Sequence, residues 1–289
     1  MRTVLVTGAS GFLGHHVVIE LLKHSEFQIV AIGGLPEDKA NHLPESPKMR
    51  FYTLDKLFTE DFAGIDTVIN CAFSRNNDAQ HLAAAVDFTK RAIERFVDFR
   101  VKSVINISTQ GVYERLPKGL LSNEDSPVVP IDLYSMVKYT VESMFAISSI
   151  SFTTNVRLAS LMMPQRFLYF FVQKVVNNEQ FTVTAPNQFA ALLDVRDAAT
   201  GLVSIAKLLP EKRSSVYNLG IGTQYSLLDY AESVQRIGRS LGYEANFTVE
   251  KNESSVCAGM DCSKLMKETG WKPEFFKDEM IKELYKTII

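Results

Sequence analysis

Thr3-Val-Leu-Val-Thr7-Gly8-Ala-Ser-Gly11-Phe-Leu-Gly14 decides the fold of this chain. Thr3 to Thr7 is a short apolar, β-branched run stopped by Gly8, and Phe12 to Lys23 then shows helical spacing through Phe12, Val17, Val18, Leu21 and Leu22. A strand, a glycine turn and a helix in that order turn backbone N–H groups and a helix N-terminus toward one point in space. That arrangement suits a pyrophosphate, with Gly8, Ser10, Gly11, Phe12 and Leu13 around it and Gly14 permitting close packing of helix on strand. A glycine-rich turn without a ligand is the competing reading.

Outward from that stretch, the chain alternates. Phe27–Ile32 and Arg50–Leu54 read as strands, as do Ile65–Phe73 and Val101–Ile107, the last ending in Ser108-Thr109. A long helix covers about Ala79 to Phe99, with apolar Leu82, Val86, Ala92, Ile93, Phe96 and Val97 on one face. The alternation predicts a doubly wound parallel sheet of the α/β class, with ligands beyond the carboxyl ends of the strands. Gly8, Ala72 and Thr109 then share that edge.

Tyr134 and Lys138 open a further helix, expected to run to about Ile150. Positions i and i+4 share a helix face, so a phenol and an ammonium address the same small volume and the ammonium favours the phenolate. Such a pair suits proton exchange with a hydroxyl or carbonyl, although Tyr and Lys at this spacing also occur on solvated faces. Beyond it come a strand over Phe152–Leu158, a helix over Gln165–Asn177, an extended Gln180–Thr184, a helix over Ala198–Leu208, a strand at Val216–Leu219, a helix from an N-cap at Ser226 to Leu241, and a last helix near Phe276–Thr287. Residues 1–161 are expected to form a dinucleotide-binding domain. Residues 162–289 form most of a smaller, partly discontinuous substrate domain, with a segment near 190–220 returning to the main sheet.

Composition narrows the classes of partner. With 289 residues, 46% hydrophobic and 22% charged, and a net charge of −2, the chain reads as globular and offers no electrostatic case for nucleic acid or an anionic membrane. Its three cysteines, Cys71, Cys257 and Cys262, form no C-x-x-C pair, so no disulfide or zinc site is expected and a reducing, cytoplasmic setting fits. No apolar run reaches membrane-spanning length, and Met1 to Gly8 lacks a signal-peptide core. The Asn-x-Ser/Thr triplets at Asn106, Asn246 and Asn252 are therefore read as chance.

In order along the chain, Thr7-Gly8-x-x-Gly11-x-x-Gly14, Ser108-Thr109-x-x-Val112-Tyr113, the Tyr134/Lys138 pair, Arg157 with Pro164, Asp197, Tyr217-Asn-Leu-Gly220, and Asp261-x-Ser263-Lys264 with Gly270-Trp271-x-Pro273 resemble the extended short-chain dehydrogenase/reductase family, the epimerase/dehydratase group. The resemblance implies a Rossmann-type dinucleotide domain and hydride transfer between nicotinamide and a carbinol or ketone carbon of a nucleotide-linked sugar, as a 4-keto reductase or 4-epimerase. It implies Thr109, Tyr134 and Lys138 as the catalytic set, Asp55 near the adenine, Ala72, Tyr134 and Lys138 against the cofactor, and a possible homodimer through the Ala79 and Tyr134 helices.

Departures from the family pattern bear on cofactor and substrate. Gly33-Gly34 stands where NAD-binding members carry an acid, so the cofactor is NAD or NADP with a slight lean to NADP, Lys39 or His42 supplying the cation. Ala85, Ser160 and Ala190-Ala191 replace an Asn, an Asn and an Arg-Asp pair, and Arg166 or Lys251 are the candidates to meet a diphosphate. Gln110-Gly111 replaces the acidic pair of dehydratases, which ranks dehydration third. Two rival readings follow from these losses: a non-catalytic or regulatory dinucleotide-binding protein, and a reductase of a non-nucleotide carbonyl compound.

Overall fold

The structure is a computed structural model that describes residues 1–34, 43–74, 78–117, 119–163, 167–250 and 257–289. Its first half alternates as β1 (Arg2–Thr7), α1 (Phe12–Leu22), β2 (Phe27–Gly33), β3 (Met49–Thr53), a one-turn α2 (Lys56–Thr59), β4 (Thr67–Asn70), α3 (Ala79–Asp98), β5 (Ser103–Thr109), α4 (Leu133–Ala146) and β6 (Phe152–Leu158). Then follow β7 (Ser160–Leu161), α5 (Phe167–Val176), β8 (Phe181–Val183), β9 (Phe189–Ala190), β10 (Leu192–Leu193), α6 (Val195–Lys207) and β11 (Val216–Leu219). The chain closes with β12 (Tyr225–Ser226), α7 (Leu227–Ser240), β13 (Phe247–Val249), β14 (Cys257–Ala258), α8 (Ser263–Thr269) and α9 (Lys277–Ile288).

Seven strands form one sheet in the order β11-β6-β5-β4-β1-β2-β3, and every pairing in it is parallel. The order turns back on itself between β4 and β1, the crevice at which open parallel sheets bind ligands. Helices cover both faces, so the central strands are buried on both sides and read as largely apolar, β-branched runs. Val4 and Val6 enter one core with Val17, Val18 and Leu21 of α1 and Leu202 of α6. Leu5, between them, enters the opposite core with Phe96 of α3 and Phe145 of α4.

The expected alternation is present, with three shifts that have local causes. β4 is confined to Thr67–Asn70, because Cys71 and Ala72 leave the ladder to pass against Gly8. α4 stops at Ala146, where the Ser148 hydroxyl donates to the Phe145 carbonyl at 2.7 Å and satisfies the helix end. α6 begins three residues earlier than its apolar spacing suggests, since the Asp194 carboxylate accepts from Arg196 N–H at 2.8 Å and caps it. The two-residue strands β7, β9, β10, β12 and β14 are too short to register as a period. α6 and β11 lie on the main sheet, while α5, α7 and α9 enclose a separate apolar cluster built on Leu168, Val172, Tyr230, Val234, Ile281 and Tyr285.

The candidate active site

The glycine loop is built by contact as well as by conformation. Gly8 has φ +67°, and a Cβ there would lie 2.9 Å from Ala72 N, so strand-end β4 presses directly on the loop. Gly14 is tighter: a Cβ would stand 2.1 Å from the Gly8 carbonyl oxygen. The first turn of α1 therefore sits on the loop with its N–H groups turned outward. Gly11 caps that helix without a side-chain bond, which leaves the N–H groups of Phe12, Leu13 and Gly14 without intrahelical acceptors. These residues fit the pyrophosphate of a dinucleotide. Ser10 reaches the end of β2, where its hydroxyl oxygen accepts from Gly34 N–H at 3.2 Å.

At Gly33 the space for a side chain is taken: a Cβ would meet the Phe51 ring at 2.8 Å and Ser10 Oγ at 2.9 Å. Asp55 opens α2 two residues past β3 and is exposed, its carboxyl held below the usual range by the Thr53 hydroxyl. Lys39 and His42 lie outside the described residues, as do Pro164, Arg166, Lys251 and the triplet at Asn252.

Thr109 ends β5. Its hydroxyl oxygen accepts from Gly111 N–H at 3.1 Å, starting the 3-10 turn Gln110–Val112, so its own proton is left to donate elsewhere. Gly111 brings that turn onto α4, since a Cβ there would stand 2.4 Å from Ser135 Oγ. Tyr134 lies in the first turn of α4, fixed by the Asp132 cap, whose carboxylate accepts from Ser135 N–H at 2.8 Å. One turn on, Lys138 is 4% exposed, and its ammonium donates to the Ile107 carbonyl. Thr109 and Tyr134 both line a cavity of about 550 Å³, together with Gln110, Ser160, Phe189 and Met260. Lys138 lies behind this lining on the same helix.

The departures take up new partners. Ser160 accepts from Gln110 Nε2 at 3.1 Å, Ala85 is buried with its carbonyl accepting from the Thr89 hydroxyl at 2.8 Å, and Ala190 is built into β9 between β12 and β14. Met162 and Phe171 belong to the second apolar cluster, whereas Phe170 beside them is 51% exposed.

Two arrangements escaped the sequence reading. Thr7, Asn70, Asn106 and Asn155 stand in register across β1, β4, β5 and β6 and form a chain of buried side-chain hydrogen bonds of 2.7, 3.1 and 2.8 Å. Beside it, Arg157 donates to the buried Glu142 carboxylate and, at 2.9 Å, to the Tyr113 hydroxyl, which in turn donates to Asn218 Oδ1 at 2.8 Å. Burial opposes the guanidinium charge, yet the Glu142 carboxylate holds Arg157 above its usual range. Glu142 follows Tyr134 and Lys138 at further four-residue steps, and that spacing was the available signal.

The parallel sheet and its glycine loop define a Rossmann-type α/β protein. The chain belongs to the NAD dependent epimerase/dehydratase family, whose model matches residues 4–220. Among curated relatives, a low-salt glycan biosynthesis protein of Haloferax volcanii is 24% identical over 299 residues, covering 95% of each chain. The UDP-glucose 4-epimerase of Bacillus subtilis is 23% identical over 333 residues, covering 96% of this chain and 94% of its own. Of solved structures, UDP-glucuronic acid 4-epimerase from Bacillus cereus, in complex with UDP-glucuronic acid and NAD, superposes with a TM-score of 0.82 at 21% identity over 99% of both chains. The dTDP-glucose 4,6-dehydratase of Bacillus anthracis, in complex with NAD, gives 0.81 at 16% identity over 99% of this chain and 96% of its own. At those identities the likeness is one of fold.

Proposed function

We propose that this protein is an NAD(P)-dependent enzyme that moves hydride at a carbinol or ketone carbon of a nucleotide-linked sugar, as a 4-epimerase or 4-keto reductase. One observation carries the reading: Thr109 and Tyr134, a strand end and a helix start, line the same cavity while the buried Lys138 stands one turn behind Tyr134. Thr109 donates its free hydroxyl proton to the reacting oxygen. Tyr134 takes or returns the proton of that oxygen, and the Lys138 ammonium favours the phenolate that forms. The dinucleotide, held by the loop Gly8–Gly14 and the first turn of α1, supplies the hydride acceptor or donor.

Dehydration stays third, because the two positions after Thr109 are Gln110 and Gly111. The space beside Gly111 is held by Ser135 Oγ, so a side chain there would require the Ser135 hydroxyl to turn away. The bound UDP-glucuronic acid and NAD of the Bacillus cereus epimerase support a UDP-sugar and NAD. Gly33, with no carboxylate to repel a 2′-phosphate, supports a slight preference for NADP. Residues 162–289 provide most of the sugar-nucleotide side. Leu133 and Met136, each 48% exposed on α4, support a homodimer through α3 and α4, and the free thiols of Cys71 and Cys262 support a cytoplasmic setting.

Calorimetry with NAD and NADP, followed by turnover of UDP-glucose and UDP-glucuronic acid, tests the proposal. Tyr134→Phe is expected to lower turnover about 100-fold or more while dinucleotide affinity holds within about twofold. Absence of binding to either dinucleotide removes the enzyme reading. Binding of dinucleotide without any binding of UDP or dTDP moves the substrate to a non-nucleotide carbonyl compound, the reading that Ala190 favours.

A further inference from the structure

Tyr134 and Lys138 share a neighbour that no motif of the chain includes. The Lys138 ammonium lies 4.0 Å from the centroid of the Phe73 ring, and the same ring meets Tyr134 edge to face at 5.7 Å and 81°. From these two contacts we infer that Phe73 is a positioning residue for the Tyr134/Lys138 pair, acting through its aromatic face. The inference rests on the role proposed above for that pair.

The physical case begins with Lys138. An ammonium with 4% exposure has lost its water, and the Ile107 carbonyl replaces part of that solvation. The negative face of a benzene ring supplies more, and does so with a particular advantage. A carboxylate in that place would neutralise the ammonium and cancel its effect on Tyr134. A ring carries no net charge and accepts no proton, so its contact leaves the ammonium charged beside the phenol. Edge-to-face contact with Tyr134 meanwhile restricts the phenol ring, whose hydroxyl must keep its angle to the reacting oxygen.

The backbone under Phe73 is fixed from the other side. Ala72 N–H donates to Thr7 Oγ1 at 3.3 Å, and Ala72 closes on Gly8 at the distance that forbids a Cβ there. Phe73 therefore stands between the glycine loop and the proton-transfer pair. It does not itself line the cavity that Thr109 and Tyr134 share, so it acts there through the pair it touches.

The test separates aromatic character from volume. Phe73→Leu and Phe73→Met fill similar space without the ring quadrupole, and Phe73→Tyr retains it. On the full chain with saturating dinucleotide and a turned-over UDP-sugar, both aliphatic variants are expected to lower kcat about tenfold, with dinucleotide Kd changed less than about twofold, and Phe73→Tyr to restore kcat within about twofold. Two aliphatic variants guard against one that fails to fold, checked by circular dichroism. Native kcat in a folded aliphatic variant overturns the inference, as does a Phe73→Tyr variant as slow as Phe73→Leu. Tyr134→Phe and Lys138→Met run in parallel: if these stop turnover while Phe73→Leu does not, only the role of Phe73 fails. If Tyr134→Phe turns over normally, the site assignment itself fails.

Discussion

Arg157 on β6 and Glu142 on α4 form a two-pronged ion pair, Nε to Oε1 at 3.2 Å and Nη2 to Oε2 at 2.9 Å, with side chains only 5% and 4% exposed. The pair ties the helix that carries Tyr134 and Lys138 to the sheet, and through Tyr113 to the turn that follows Thr109. A buried pair of this kind is costly to break from one side, because the survivor keeps an uncompensated charge. Arg157→Met is expected to lower unfolding free energy by about 3–5 kcal/mol, read from the urea midpoint. Adding Glu142→Leu in the same chain is expected to recover at least half of that loss. A double variant no more stable than the single one would show that the cost lies in packing and not in stranded charge.

Gly14→Ala places its methyl group at the position 2.1 Å from the Gly8 carbonyl oxygen. Neither atom belongs to a flexible side chain, so α1 or the loop must shift. We expect a loss of about 1–3 kcal/mol in stability and at least tenfold in dinucleotide affinity by calorimetry. Gly34→Ala is the control, since a Cβ there meets nothing within 4 Å, and it is expected to leave stability unchanged. Equal losses in the two variants would remove close packing as the reason for Gly14.

Asp66 supplies a pH-dependent term. Partial burial pushes its carboxyl up, but Thr3 N–H at 2.9 Å and the Lys102 ammonium at 3.0 Å pull it down further, leaving it below the ordinary aspartate range. A depressed carboxyl contributes stability above the unfolded value of about 3.9 and loses it as pH falls through the lower folded value. Asp66→Asn is expected to lower the thermal midpoint at pH 7, with a stability loss of roughly 1 kcal/mol, and to bring the two proteins together toward pH 3. A difference that persists undiminished at pH 3 would assign the effect to packing.

The glycine loop illustrates what was readable in the chain. Its strand, turn and helix are consecutive in sequence, and β2, β4 and β5 carry mostly apolar, β-branched residues of their own, so local pattern and global topology agree. Tyr134 and Lys138 were legible for the same reason, being one helical turn apart. Phe73 was not: its meeting with Lys138 depends on β4 and β5 being neighbours, and nothing local distinguishes this phenylalanine from one that fills a core. The ladder Thr7–Asn70–Asn106–Asn155 was hidden likewise, each residue looking like an isolated polar interruption until strand register aligned them.

One residue that departs from the family pattern has a steric reason in the structure. Gly33 in sequence reads as a missing acid, whereas in the structure the Phe51 ring from β3 and Ser10 from the loop fill the space an acid would enter.

By itself the sequence determined the parallel α/β sheet, the glycine loop between β1 and α1 and the family, because these rest on short-range periodicity and on ordered motifs. Only the tertiary structure decided which side chains surround the Tyr134/Lys138 pair. Phe73, Ile107 and the Arg157–Glu142 bridge come from strands and helices far apart in the chain, and the partners of a buried charge are set by which elements pack together.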